Sequence, residues 1–126
     1  MRVNELTGCI ISSAITVHRE LGPGLLESVY KPCLALELAD QGLNVQTEVN
    51  WPVIYRDREI AEIGFRLDLL VENSVVIELK SVERVRPVHQ KQLLTYLKLT
   101  NKPIGLLINF NENLLKDGIT RIVNNL

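Results

Sequence analysis

Asp68 and the triplet Glu78-Leu79-Lys80 are the residues of this chain best suited to chemistry. Two carboxylates are hard oxygen ligands for a divalent cation, and a backbone carbonyl such as that of Leu79 adds another. A cation so held neutralises charge developing at phosphorus and lowers the pKa of a water. The Lys80 ammonium can position that water and stabilise the same charge; it is not assigned as a general base. Hydrolysis of a phosphodiester is the reaction these parts suit. The same residues are also ordinary on the solvated face of an antiparallel sheet, so their positioning decides between the two.

Two β-rich runs carry them, residues 63–71 and 75–80, separated by Glu72-Asn73-Ser74. In the second run Val75, Ile77 and Leu79 point one way, and Val76, Glu78 and Lys80 the other, since a strand alternates its side chains. In the first run, strict alternation puts Ile63, Phe65, Leu67, Leu69 and Val71 on one face and Arg66 and Asp68 on the opposite one. A three-residue loop at Glu72-Asn73-Ser74 sets Asp68 directly across from Glu78. A two-residue loop would set it across from Leu79.

Further candidates lie on helical patterns. Glu27 and Tyr30 are three residues apart and share a helix face. Glu27 is either a third acid for the site or a first-turn glutamate complementing the helix dipole. His89, Gln92 and Tyr96 fall on one face of a helix after Pro87. Gln92 and Tyr96 there are candidates to contact a phosphate backbone or to orient Lys80, and His89 is a weaker candidate for a base. Between Lys80 and Lys102 there are six basic residues, Lys80, Arg84, Arg86, Lys91, Lys98 and Lys102, against Glu83, a local excess of +5 in a chain of net charge -1. That suits a phosphate-contacting patch, although a solvated helix face explains it nearly as well.

The remaining pattern supplies the scaffold. Leu6, Ile10, Ala14, Val17 and Leu21 predict a helix over 5–21, stopped by Gly22-Pro23-Gly24. A second helix ends near Gln41-Gly42, with Leu26, Val29, Cys33 and Leu36 as its apolar stripe. Pro32 falls inside it, so the helix starts late or kinks there. Val45, Thr47, Val49, Trp51, Val53 and Tyr55 alternate as a half-buried strand, and Pro52 favours an edge position. Arg56-Asp57-Arg58 is a turn. Pro87 opens a helix to about Leu99. Residues 103–110 are a continuous apolar run, as in a central buried strand. Leu114 to Leu126 reads as a short helix. The predicted order is α-α-β-β-β-α-β-α.

The 126 residues are expected to form one domain over 1–126, of ordinary composition at 46% hydrophobic and 23% charged. A net charge of -1 excludes a polybasic protein that coats nucleic acid by charge alone. Cys9 and Cys33 lie in apolar helical patterns as small core residues of a reducing compartment. No CxxC or Cys/His cluster suggests zinc. No apolar run approaches the roughly 20 residues of a membrane span, so the expected location is the cytoplasm.

Asp68, Glu78-Leu79-Lys80 and Gln92-x-x-x-Tyr96 together resemble the PD-(D/E)xK nuclease superfamily. More narrowly, 18–30 (HRELGPGLLESVY) is similar to the GxxExxY family of small bacterial and archaeal proteins within it. So are 64–71 (GFRLDLLV), 92–98 (QLLTYLK) and 105–111 (GLLINFN). The resemblance covers nearly the whole chain, four segments in the same order. It implies an α/β fold, a PD-(D/E)xK restriction-endonuclease-like core with a mixed β-sheet flanked by helices. It implies a nuclease that uses Mg²⁺ or Mn²⁺, cutting nucleic acid, DNA rather than RNA. Asp68 and Glu78 would ligate the metal with the Leu79 carbonyl, Lys80 would position the water, Glu27 would be an accessory acid, and Gln92 and Tyr96 a polar pair supporting the site. Tyr30, Arg66, His89, Arg84 and Arg86 are the further candidates for nucleic-acid contact or support. The alternatives are a non-catalytic nucleic-acid- or protein-binding module that keeps the fold, and a homodimer that brings a second site to a duplex.

Overall fold

In the computed structural model, which describes residues 1–125, the elements are α1 (Val3–Leu21), α2 (Glu27–Asp40), β1 (Val45–Tyr55), β2 (Arg58–Val71), β3 (Val75–Lys80), α3 (Pro87–Thr100), β4 (Ile104–Asn109), a 3₁₀ helix (Leu115–Gly118) and β5 (Ile119–Val123). The five strands form one sheet in chain order, β1-β2-β3-β4-β5. β3 and β4 run parallel and the other neighbours antiparallel. The parallel pair requires a crossover, which α3 supplies. The result is the mixed sheet flanked by helices that the resemblance implies.

Two apolar layers sandwich the sheet. On one face Leu6, Ile10, Ala14 and Val17 of α1 and Tyr30, Leu34 and Leu38 of α2 pack on Val75, Ile77 and Leu79 of β3 and on alternate residues of β4. On the other, Leu93 and Leu97 of α3 cover Val76 and Leu107. All of β4 is buried, as a strand covered on both faces must be. β1 takes the edge predicted by Pro52.

Two expectations are corrected here. Of the stripe Leu26, Val29, Cys33 and Leu36, only Cys33 packs against the core: Leu26 and Leu36 are 72% and 62% exposed, and Tyr30, Leu34 and Leu38 are buried instead. Both stripes have helical spacing. The one that wins carries Tyr30, which stacks on Phe110 at 4.4 Å and finds partners for its hydroxyl. The helix also begins five residues before Pro32 rather than at it. The carbonyl that proline leaves without a helical donor, that of Ser28, lies on an exposed turn where water can serve it.

The second correction is the tail. In place of a helix over 114–126, one 3₁₀ turn leads into β5, and Leu126 lies outside the described residues. Ile119, Thr120, Ile122 and Val123 are β-branched, and they pair with β4 from Ile104↔Val123 to Ile108↔Ile119. Without them the buried β4 would have an edge of unpaired backbone groups, a greater loss than the helix would recover.

Candidate active site

The site begins where two strand ladders are interrupted together. β2 and β3 pair through Val71↔Val75, Leu70↔Val76 and Leu69↔Ile77, closed by the loop Glu72-Asn73-Ser74. Glu72 and Asn73 both adopt positive φ, 51° and 52°. This is the three-residue loop, and its register sets Asp68 opposite Glu78.

Beyond Leu69↔Ile77 side chains replace the backbone rungs. The Leu79 N–H donates to Asp68 Oδ2 at 2.8 Å, and the Asp68 N–H to Glu78 Oε1 at 3.4 Å. On the other side of β2, the β1 pairing runs Thr47↔Leu69 and then Val49↔Leu67, passing over Glu48, whose φ is 50°. Both strands turn over at this point. Leu69, Val71 and Val45 pack under α1 and α2, whereas Leu67, Phe65, Val49 and Trp51 pack under α3.

The single apolar face expected for Ile63 through Val71 is therefore corrected. It changes sides at Asp68, because a left-handed residue in β1 and a carboxylate inserted among the rungs break the alternation. Asp68 is thereby reached from both layers. From the α2 side, Lys31 Nζ lies 3.2 Å from Asp68 Oδ1 and 3.4 Å from Glu48 Oε1. On the α3 side, Glu78 and Lys80 follow Val76 along the same face of β3. Tyr96 of α3 is stacked on Phe65 at 4.5 Å.

The electrostatics follow from this crowding. Glu78 is pushed up to about 9 by burial first and by the charge and hydrogen bond of Asp68 next, with Lys80 pulling the other way. Burial also raises the Tyr96 hydroxyl, and the negative charges of Glu78 and Asp68 raise it further, which marks the acids as its neighbours. For Lys31 burial works downward, but Asp68 and then Glu48 outweigh it and hold the ammonium above its usual value.

Loop contacts fix the strand ends around these groups. Buried Asn109, at the end of β4, accepts the Val82 and Asn111 N–H groups through Oδ1 and donates to the Val82 carbonyl at 2.9 Å. The Phe110 N–H donates to the Lys80 carbonyl at 2.8 Å. Ser81 Oγ donates to the Leu25 carbonyl at 2.5 Å, tying the end of β3 to the turn before α2. That turn uses Gly22 and Gly24 at φ 74° and 96°, conformations a side chain disfavours.

The remaining candidates are spread around this centre. Glu27 opens α2, half-buried, one helical turn before Lys31. Tyr30 is fully buried; its hydroxyl donates to the Gly22 carbonyl at 2.5 Å and accepts the Leu25 N–H, so it holds the turn and has no surface to offer a ligand. Arg66 is exposed and donates to Asn50 Oδ1. Gln92 is exposed on α3. His89 Nδ1 accepts the Arg86 N–H at 3.0 Å, which caps α3. Arg84, Arg86 and His89 line one hollow beside the start of α3.

Sequence reasoning missed Lys31, Glu48 and Asn109. Lys31 follows Tyr30 directly and lies four residues after Glu27, a spacing that put it on Glu27's face. Glu48 carried no signal, since its role depends on a backbone conformation. Asn109 was visible as the polar residue interrupting the apolar run 103–110 just before its end.

Among the described residues no three or more His, Cys, Asp and Glu converge as a metal cluster. The acids at the centre are the pair Asp68 and Glu78. None of the helices of these residues is long and apolar enough to cross a membrane. No curated protein and no solved structure matches the chain. A family model described as the PD-(D/E)XK nuclease superfamily does, over residues 4–122, from the first turn of α1 into β5. With the acid pair, the lysine and all but the last residue of the sheet inside that match, the chain belongs to the PD-(D/E)XK nuclease superfamily.

Proposed function

We propose that this protein is a divalent-metal-dependent nuclease of the GxxExxY type, acting in the cytoplasm on DNA. Nucleases of this superfamily generally use divalent metals. The observation that carries the reading is the opposed pair Asp68 and Glu78 with Lys80 on the same face as Glu78.

The donor set suits a hard cation such as Mg²⁺ or Mn²⁺. Asp68 already holds a positive group, the Lys31 ammonium, on Oδ1. Glu78 is driven to keep a proton by burial and by its carboxylate neighbour, a strain that a bound cation relieves. The N–H and C=O of one strand residue point to the same side, so the Leu79 carbonyl faces β2, as its N–H does toward Asp68. Asp68, Glu78 and the Leu79 carbonyl would hold the ion. When bound, it supplies charge neutralisation at phosphorus and acidifies a water.

The chain's own residues do the rest. Lys80 orients the water and meets the developing negative charge. Tyr96, held flat against Phe65, presents its hydroxyl beside the acids, and Gln92 lies one turn before it on α3. Glu27 is the accessory acid of α2. Arg84, Arg86 and His89 contact the phosphate backbone beyond the site. A homodimer brings a second site for cutting both strands.

The test is a cleavage assay on single-stranded, duplex, flap and RNA substrates in Mg²⁺, Mn²⁺ or EDTA, with Asp68→Ala and Lys80→Ala in parallel. Cutting that requires metal and is lost in both variants is expected. Nucleic-acid binding in chelator, indifferent to Asp68→Ala and without cutting, would instead identify a binding module.

A further inference from the structure

We propose that Lys31 is a tethered cation that holds Asp68 closed in the metal-free protein, and that Glu48 is the position its ammonium takes when a divalent ion arrives. The inference rests on the reading of Asp68 as a metal ligand.

Both oxygens of Asp68 are occupied by the protein itself. Oδ2 accepts the Leu79 N–H at 2.8 Å, and Oδ1 holds Lys31 Nζ at 3.2 Å. An ion bound at Asp68 and an ammonium on the same carboxylate repel each other at close range, so the ammonium leaves as the ion enters. Glu48 Oε1, 3.4 Å from Nζ, already shares the ammonium. The Glu48 side chain is 55% exposed, against 21% for Asp68, so the ammonium moves outward along a flexible stem toward water and keeps one partner.

Glu48 lies across the β1–β2 ladder from Asp68 and is the left-handed residue that interrupts it. That placement puts one acid on each side of the ammonium. Lys31 therefore sets metal affinity by competition, and Glu48 sets how readily Lys31 yields. Lys31 is a positioning residue here, since it acts through Asp68.

The experiment is Mn²⁺ binding to the intact protein, without nucleic acid, by calorimetry or by loss of the free-ion paramagnetic resonance signal. Wild type is compared with Asp68→Asn, Lys31→Met, Lys31→Arg, Glu48→Gln and the Lys31→Met/Glu48→Gln double variant. Thermal melts check that each is folded. Loss of binding in Asp68→Asn tests the underlying reading separately; if wild type binds no Mn²⁺ through Asp68, that reading fails and the latch with it.

Given Asp68-dependent binding, Lys31→Met should bind Mn²⁺ about tenfold tighter, the effect of removing one nearby positive charge. Lys31→Arg should match wild type, and Glu48→Gln should bind several-fold more weakly. The decisive result is the double variant, in which Glu48→Gln should have no effect once Lys31 is gone. Unchanged or weaker binding in Lys31→Met would overturn the proposal. So would a Glu48→Gln loss that persists in the Lys31→Met background, which would make Glu48 a direct contributor to the metal.

Discussion

Asp68 and Glu78 face each other at the point where the β2–β3 ladder stops, and each carboxyl takes a hydrogen bond from the other's strand. Asp68 Oδ2 accepts the Leu79 N–H and Glu78 Oε1 the Asp68 N–H. The acids thus stand in for missing backbone rungs while pressing two like-charged groups together. Asp68 Oδ1 has the Lys31 ammonium 3.2 Å away, whereas burial first, and Asp68 next, push Glu78 toward its neutral form. This imbalance has measurable consequences.

The first is a pH dependence of stability in EDTA. Glu78 moves from 4.5 to about 9 in the fold, so the folded state prefers the neutral acid. Its contribution is present in full below the unfolded value of 4.5 and is lost as pH rises toward 9. Denaturant melts should show stability falling across this window by at most about 1.4 kcal/mol per pH unit. Glu78→Gln, which stays neutral, should flatten that slope. An equal slope in the variant would mean another group titrates.

Metal binding should be coupled to the same proton. Ligation requires the ionised carboxylate, so Mn²⁺ uptake near pH 7 should release about one proton, and affinity should rise with pH, by up to roughly tenfold per unit, until Glu78 ionises by itself. Calorimetry in buffers of different ionisation enthalpy counts the proton directly. No release would show that Glu78 is ionised before the metal arrives.

Asn109 should matter more than its neutral side chain suggests. It is fully buried and serves three backbone groups of the segments after β3 and β4. Asn109→Ala strands those groups and should cost about 2–3 kcal/mol by chemical denaturation. Cleavage should fall as well, because Ser81 and Val82 follow directly on Lys80. A variant as stable as wild type would show that water replaces the amide.

Arg84 and Arg86 should act on affinity without sequence preference. Replacing both by Ala should weaken duplex binding alike on unrelated sequences. It should also reduce the slope of log K against log salt by about 2, close to one for each phosphate no longer neutralised. Fluorescence anisotropy over a salt series measures this; an unchanged slope would place the phosphate track elsewhere.

The chain declared much of this in advance because the relevant rules are local. Loop length left two partners open for Asp68, Glu78 or Leu79, and the fold chose Glu78; the apolar run 103–110 read as a central buried strand, as β4 is. Pro87 marked the start of α3 and Pro52 an edge. The errors share a cause. Leu26, Val29 and Leu36 had helical spacing, but so did Tyr30, Leu34 and Leu38, and only the packing partner Phe110 selects between them. The tail had weak helical character, and it became β5 because β4 needed a neighbour.

By itself, the sequence determined which residues are candidates for the chemistry and which elements hold most of them, since residue type and period act over short stretches. It could not show that both β1 and β2 turn over at Glu48 and Asp68, or that Lys31 comes from a helix to meet an Asp68 that lies 37 positions further along the chain. Those facts belong to the tertiary structure. They arise where two layers compete for one carboxylate, and the balance of burial, charge and backbone pairing there exists only once all the elements are in place.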